Sequence, residues 1–279
     1  MMKDKLTSMQ NPKIKQVVRL QDRKERDQTG LFLIEGFREI KRANDAGVRL
    51  KHLFICPSFF LGVNEQPLIA QIKETGTEIF ECASHVFEKI SYRDRPDGLL
   101  AVATQMNRTL RDLFPFVEKS INPFLVIAEA IEKPGNLGTI LRSSDAVKVD
   151  GVIVCDRCTD IYNPNVVRAS VGTLFTVPVA EAKGAETLLW LQEKKIKVVA
   201  ATPHAKVEFT DADLTGPVAI AVGTEQIGLS ELWMHASDIQ VRIPMLGAAD
   251  SLNVATATTL LLYEVLRQRR PSSAKINLF

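Results

Sequence analysis

The run Val218-Ala219-Ile220-Ala221-Val222 has no polar residue to show to water on either side. A strand apolar on both faces belongs in a parallel sheet covered by helices above and below. The same signal recurs through the second half of the chain. Phe124–Ala128, Val152–Cys155, Lys197–Ala201 and Ile239–Ile243 read as strands, with a shorter one at Thr176–Val179. Helical periodicity separates them at Leu137–Lys148, Asn165–Leu174, Ala185–Lys195 and Ser230–Ala236. Alternation of this kind predicts an α/β domain over residues 123–279 with a mainly parallel sheet. Ligands of such sheets sit at the carboxyl ends of the strands.

The last element of that domain is a helix from about Leu252 to Arg270. Ser251 or Asn253 is placed to cap it, and Arg267, Arg269 and Arg270 complement the dipole at its far end. No charge falls between Val254 and Leu262, so the helix is buried on more than one side. The apolar segment is too short to span a bilayer, and its burial is therefore against protein. Asp250, Ser251 and Asn253 crowd the mouth of this apolar element. Taken alone, they fit a capped core helix as well as a site.

Residues 1–106 form a second, smaller α/β domain. Helices are expected at Asn11–Arg26, Phe37–Ala46, Leu68–Glu74 and Ser84–Ile90, and strands at Leu31–Ile34, Leu53–Ile55, Glu78–Phe80 and Leu99–Thr104. Residues 107–122, where periodicity weakens, read as a linker. Residues 1–56 carry 13 Lys/Arg against 7 Asp/Glu, while residues 123–279 carry 15 against 17. The basic excess at Lys13, Lys15, Arg19, Arg23 and Arg38 suits a phosphate backbone. The interleaved Asp22, Glu25 and Asp27 allow a plain solvated helix face instead. The N-terminus shows no apolar signal segment, and four cysteines in 279 residues do not make a disulfide framework. A reducing, cytoplasmic setting is expected, with no membrane association.

Three strand-end loops concentrate glycine and polar residues. In Glu129–Arg142, Asn136 is an N-cap candidate, and Gly138 and Arg142 share a helix face with room between them for a bulky group. A plain cap and a surface arginine explain the same residues. In Gly223–Ser230 the glycines allow close main-chain approach to a ligand, or merely a flexible turn with Glu225 solvated. The third loop is Pro244–Asn253. Phosphate-binding and dinucleotide glycine motifs are absent. Cys155 and Cys158 have no second pair at zinc spacing, and neither a zinc-protease motif nor a nucleophile elbow is present. No metal is expected.

Together the loops read N-x-G-x-x-x-R at Asn136–Arg142, G-T-E-x-x-G-L-S at Gly223–Ser230 and I-P-M-x-G-x-x-x-S-L-N-V at Ile243–Val254. In that order they resemble the three motifs of the SpoU family of the SPOUT superfamily, RNA ribose 2′-O-methyltransferases that use S-adenosylmethionine. Asn163–Gly172, with Arg168, is similar to a further family stretch. Leu31–Gly36 with Arg38 resembles the family's N-terminal substrate-binding domain. Lys148 stands where the family usually has glycine, and Ala255 where it usually has serine. The resemblance implies a trefoil knot in the C-terminal domain, a homodimer and an RNA partner, ribosomal RNA ahead of tRNA. It implies Asn136, Arg142, Glu225, Ser251 and Asn253 as catalytic residues. Gly223, Ile243 and Leu252 would line the methyl-donor site, and Lys13, Lys15, Arg19, Arg23, Arg38 and Arg168 would meet RNA. A non-catalytic RNA-binding or ribosome assembly factor on the same fold is the alternative, and intact motifs weigh against it.

Overall fold

The structure, a computed structural model, describes residues 5–156, 159–224 and 226–270. It comprises two compact units, Met1–Met106 with Asp160–Thr176 and Asn107–Thr159 with Val177–Phe279. In chain order the first elements are α1 (Pro12–Arg19), α2 (Arg23–Thr29), β1 (Leu31–Glu35), α3 (Phe37–Asp45) and β2 (Leu50–Ile55). Next come α4 (Glu65–Glu74), β3 (Glu78–Glu81), α5 (Ser84–Ile90), β4 (Leu99–Thr104) and α6 (Leu110–Val117). β5 (Phe124–Glu129), α7 (Pro134–Ala146), β6 (Gly151–Cys155), α8 (Pro164–Ala169) and α9 (Thr173–Thr176) follow. The rest are β7 (Val179–Ala182), α10 (Gly184–Glu193), β8 (Lys197–Ala201), β9 (Val207–Glu208), β10 (Val218–Val222), α11 (Glu231–Ala236), β11 (Ile239–Arg242) and α12 (Val254–Arg269).

The first unit is built on a four-stranded sheet in the order β1-β4-β2-β3. β4 runs antiparallel to both neighbours, and β2 and β3 are parallel. The single helix expected over Asn11–Arg26 is two. The Asp22 side chain accepts the Lys24 N–H at 2.7 Å and starts a new helix, a local bond that competes with continuation of the first. Ile14, Val17 and Leu20 are buried, while Val18 is 41% exposed. Arg26 is buried and fully occupied. Its Nε and Nη2 reach Asp160 Oδ2 at 2.8 and 2.6 Å, and its Nη1 donates to the carbonyls of Leu20 and Gln21. A buried ion pair is tolerable only when its donors are matched in this way.

The helix expected over Asn165–Leu174 is also broken. Val171 sits at φ 53° and Gly172 at φ 81° between α8 and α9. A β-branched residue in the left-handed region is a strained one, and the Arg42 guanidinium holds it there by donating to the Val171 carbonyl. Gly172 is required as well, because a Cβ there would lie 3.0 Å from the Glu39 Cα.

In the second unit seven strands lie in the order β7-β6-β5-β10-β8-β11-β9, and every pairing is parallel. β10 lies between β5 and β8, and β11 between β8 and β9, so each late strand enters a slot between two earlier ones. Residues read as a linker contribute to this unit's core. Thr109 and Asp112 form a capping box that starts α6, whose Leu110, Leu113 and Val117 are buried with Leu125, Ile153 and Ala180. Pro115 inside α6 masked that helix in the sequence.

Helix α12 is shorter at its start than expected, because Asn253 and not Ser251 is its cap. Asn253 Oδ1 accepts the Ala255 N–H at 3.0 Å. Near its other end the buried Glu264 receives Arg267 at 2.7 and 2.8 Å and Gln268 at 2.8 Å. Gln268 in turn donates to the Ala212 carbonyl and accepts the Leu214 N–H. The hydrogen bonds from Arg267 hold the Glu264 carboxyl below its usual range.

A depressed carboxyl pKa contributes stability above the unfolded value, here about 4.5, and loses it as pH falls through the folded value. Glu264→Gln should therefore be less stable than wild type near neutrality, with the gap narrowing as pH drops below about 4.5; urea unfolding at several pH values reads it. Lys148, at φ 57°, explains the family's glycine at that place. Left-handed strain of about 1–2 kcal/mol, less the entropy a glycine loses on folding, predicts that Lys148→Gly gains about 0.5 kcal/mol in the same assay.

Candidate active site

The loops that follow β5, β10 and β11 all leave the carboxyl edge of the parallel sheet. From β5 the chain steps to β6 on one side, and β10 lies against β5 on the other. This is the kind of switch point at which parallel sheets open a crevice for ligands. Glu129, the last residue of β5, spans it. Its carboxylate is buried and accepts the Ser230 N–H at 2.8 Å and the Ser230 hydroxyl at 2.6 Å. Sequence reasoning assigned Glu129 no role. Its apolar strand context made a buried, doubly bonded carboxylate invisible.

The second loop closes on itself. Thr224 and Gly228 exchange main-chain hydrogen bonds at 3.1 and 2.9 Å. Gly223 is buried, and a Cβ there would meet the Gly228 carbonyl oxygen at 2.2 Å. Gly228 takes φ 69° to make the turn. The glycine spacing thus serves the loop's own shape first. Glu225 lies outside the described residues, as does Cys158.

Helix α7 begins at Pro134, one turn earlier than the sequence suggests, with Lys133 as its N-cap residue. Asn136 is therefore not the cap but lies in the first turn, half-buried. Proline at the first helical position explains the earlier start, since its missing N–H costs nothing there. Asn136 Oδ1 accepts a hydrogen bond from Asn253 Nδ2 at 3.1 Å. Seven residues on, Ser143 Oγ meets Thr259 Oγ1, six residues past Asn253, at 2.7 Å. Two contacts spaced this way mean that α7 and α12 run side by side in the same direction. Their N-terminal, electropositive ends are thus neighbours at the carboxyl edge of the sheet.

Arg142 is exposed, and its side chain makes no hydrogen bond or ion pair with the described residues. It follows Asn136 by six residues, about 9 Å along the helix axis. Gly138, expected to leave open room beside it, is buried instead. Ser251 is exposed, and Ile243 and Leu252 are half-buried. Among the described residues, no main-chain N–H from Met245 to Leu252 donates to another main-chain group. A loop with free donors, flanked by partly buried apolar side chains, is suited to reading a flat heterocycle. Ala255 is buried, and only its N–H takes part in the cap. Serine is not needed there for the helix to start.

The cations expected to meet RNA divide into two sets. Lys13 Nζ lies 3.3 Å from Glu78 Oε2 and 2.7 Å from His52 Nε2. Arg19 pairs with Glu25 and Arg23 with Asp27, each at 3.5 Å. Lys15, Arg38 and Arg168 are exposed and carry no ion pair with the described residues. Among the described residues, no cluster of His, Cys, Asp and Glu has the makings of a metal site, and no helix is long and apolar enough to cross a membrane.

Residues 123–263 match the model of the SpoU rRNA Methylase family, and residues 11–101 that of the MRM3-like substrate binding domain. A 23S rRNA (uridine(2479)-2′-O)-methyltransferase of Streptomyces viridochromogenes is 30% identical, over 90% of this chain and 87% of that one. A 23S rRNA (guanosine-2′-O-)-methyltransferase of Shewanella oneidensis is 37% identical over 73% of this chain and 84% of its own. Among solved structures, an RNA 2′-O ribose methyltransferase aligns with a TM-score of 0.82 at 42% identity, covering 95% of this chain and 99% of that one. The AdoMet-bound rRNA methyltransferase of Sinorhizobium meliloti aligns at 0.86 and 31%, covering 96% and 99%.

The Asn136–Asn253 bond is directly testable. Asn253→Ala removes the cap and that bond together and should lower stability by about 1 kcal/mol. Asn136→Ala removes that bond but spares the cap and should cost less, which thermal unfolding of both variants reads.

Proposed function

The chain belongs to the SpoU rRNA Methylase family, and from that premise we propose that it methylates a ribose 2′-hydroxyl of 23S rRNA with S-adenosylmethionine as donor. The family's fold class is the trefoil-knotted α/β fold, and the all-parallel sheet with its two intercalated strands agrees with it. The observation that carries the reading is the pairing of α7 and α12, which brings Asn136 to Asn253 and leaves Arg142 free on the same helix.

The residues present fit the donor. Gly223, Ile243 and Leu252 would line its site, with the free N–H groups of residues 245–252 available to the adenine edge. When bound, the donor supplies an electrophilic methyl on a positively charged sulfur. The chain must make the ribose O2′ nucleophilic, and a hydroxyl is a weak nucleophile until it loses its proton. Arg142 cannot take that proton, since a guanidinium stays charged in proteins. Its role in our reading is a fixed cation that grips a phosphate and stabilises negative charge as it develops on O2′. The adjoining positive ends of α7 and α12 favour the same charge. Glu225 accepts the proton or steers Arg142, while Asn136, Ser251 and Asn253 position the reacting groups.

The free cations Lys15, Arg38 and Arg168 support an RNA partner, with the N-terminal unit as its main holder. We read the chain as residues 1–106 for substrate binding, 107–122 as connection and 123–279 for catalysis. The connection includes α6, and Asp160–Thr176 packs with the first unit. A homodimer is favoured by one face of α12. Thr256, Leu260, Tyr263 and Arg267 recur at helical spacing along it and are exposed, Leu260 by 40% and Tyr263 by 49%. Buried free cysteines at Cys56 and Cys82 and an RNA substrate favour a cytoplasmic setting.

Arg142→Ala should abolish methyl transfer to 23S rRNA transcripts by a factor of about 100 or more. Donor affinity, measured by calorimetry without added metal, should stay within about twofold. Equal loss of both would move Arg142 into the donor site, and no donor binding by folded wild-type protein would end the enzymatic reading.

A further inference from the structure

The loop 91–97 of the first unit is held more firmly than a surface turn needs to be. Buried Glu35 accepts the Ser91 hydroxyl at 2.5 Å and the Tyr92 N–H at 2.7 Å. Arg93 Nη2 donates to the Glu35 carbonyl at 3.0 Å and to Glu39 Oε1 at 2.7 Å. Gly36, at φ 110°, leaves room for this guanidinium, since a Cβ there would fall 2.3 Å from Arg93 Nη2. Asp97, also buried, accepts the Phe37 N–H at 2.9 Å. Three carboxylates and one arginine are thus used to hold seven residues in place.

That network presents Tyr92. Tyr92 is 40% exposed, and Asn165 Nδ2 donates to its hydroxyl at 3.0 Å. An exposed aromatic residue hydrogen-bonded at both its main chain and its hydroxyl offers stacking area at a reduced cost in rotamer freedom. Beside it, Arg168 lines the same cleft together with Leu33, Leu100, Pro164 and Val167. The cleft itself has a volume of about 10 Å³, room for little more than one water molecule. A ligand must therefore lie over the ring and not enter the wall. Arg168 has no ion pair of its own, and Arg95, three residues beyond Tyr92, is exposed too.

We propose that Tyr92 is a stacking platform for an unpaired nucleobase of the substrate RNA, with Arg168 taking the adjoining phosphate. This rests on the reading of the chain as an RNA methyltransferase and adds a specific subsite to it. A flat, sequence-tolerant ring beside a free guanidinium is the chemistry that binds single strands, and unstacked bases in loops and bulges are what RNA offers to such a ring.

The test uses full-length protein and a labelled single-stranded RNA of about 12 nucleotides, with an RNA duplex of equal length as control. Tyr92→Ala should weaken single-strand binding about tenfold or more and leave its dependence on salt unchanged. Tyr92→Phe and Tyr92→Trp should restore most of the affinity. Arg168→Ala should instead lower the slope of log affinity against log salt by about 0.7. Donor binding should be the same in all four variants, which also verifies folding. Unchanged single-strand affinity in Tyr92→Ala, while wild type binds, overturns the platform and leaves the methyltransferase reading standing. Equal losses for strand and duplex, or a change in oligomeric state, also overturn it, the latter by making the ring part of a protein interface. If wild type binds neither RNA, the RNA reading fails with it.

Discussion

β10 lies between β5 and β8, and the geometry of the second unit follows from that placement. Its five residues are in parallel register with Phe124–Ala128 on one side, and its first four with Lys197–Ala200 on the other. A residue with any polar side chain facing either way would have to be matched in a dry interior. Val-Ala-Ile-Ala-Val meets that demand with small and β-branched side chains alone. Because the strand is parallel to β5, the loops that leave the two strands emerge at the same edge, and Glu129 can bond Ser230 across them. Helix α12 then packs against β10 and lies alongside α7. The Asn136–Asn253 contact is thus a consequence of sheet topology, reached between residues 117 apart in the chain.

Local conformational strain gathers where the chain must turn within this frame. Ala130 follows β5 at φ 52°, Lys148 precedes β6 at φ 57° and Asp156 follows it at φ 48°. Short connections between parallel strands and covering helices leave few residues in which to reverse direction, and non-glycine residues at positive φ are the result. Each such position costs on the order of 1–2 kcal/mol and is held by packing around it. In the first unit the same logic applies at Val171, where a guanidinium from α3 fixes the carbonyl. Strain of this kind persists only where the surrounding structure over-determines it.

Charge works differently in the two units. Residue counts left a basic N-terminal face and a mixed solvated one both open, and Lys13, Arg19 and Arg23 each have an acidic neighbour that takes part of their field. Of the six cations the family resemblance assigned to RNA, Lys15, Arg38 and Arg168 carry no ion pair with the described residues, the last of them contributed by a segment far along the chain. In the second unit Arg142, about 9 Å along α7 from Asn136, carries no side-chain hydrogen bond or ion pair with the described residues. A cation with no internal partner remains available to substrate, whereas a paired one must first give up its bond.

Much of this was legible in residue order. Both-face apolar strands and helical periodicity determined an α/β chain with a parallel sheet, because those patterns reflect short-range geometry and burial. The three loop motifs pointed to the family, since their order and spacing are the signal, and the proposed site residues Asn136, Arg142, Glu225, Ser251 and Asn253 came from that resemblance. Other features needed the tertiary structure. Helix α6 was hidden by Pro115, the start of α7 was misjudged by one turn, and two expected helices break where a capping Asp22 and a left-handed Val171 intervene. Glu129 and Tyr92 carried no sequence signal, as a buried carboxylate and an anchored exposed ring are defined by partners distant in the chain. Periodicity reports what a residue does with its near neighbours. Which cation is free, which carboxylate bridges two loops and which helices run side by side are set by long-range contacts, and only the folded chain decides them.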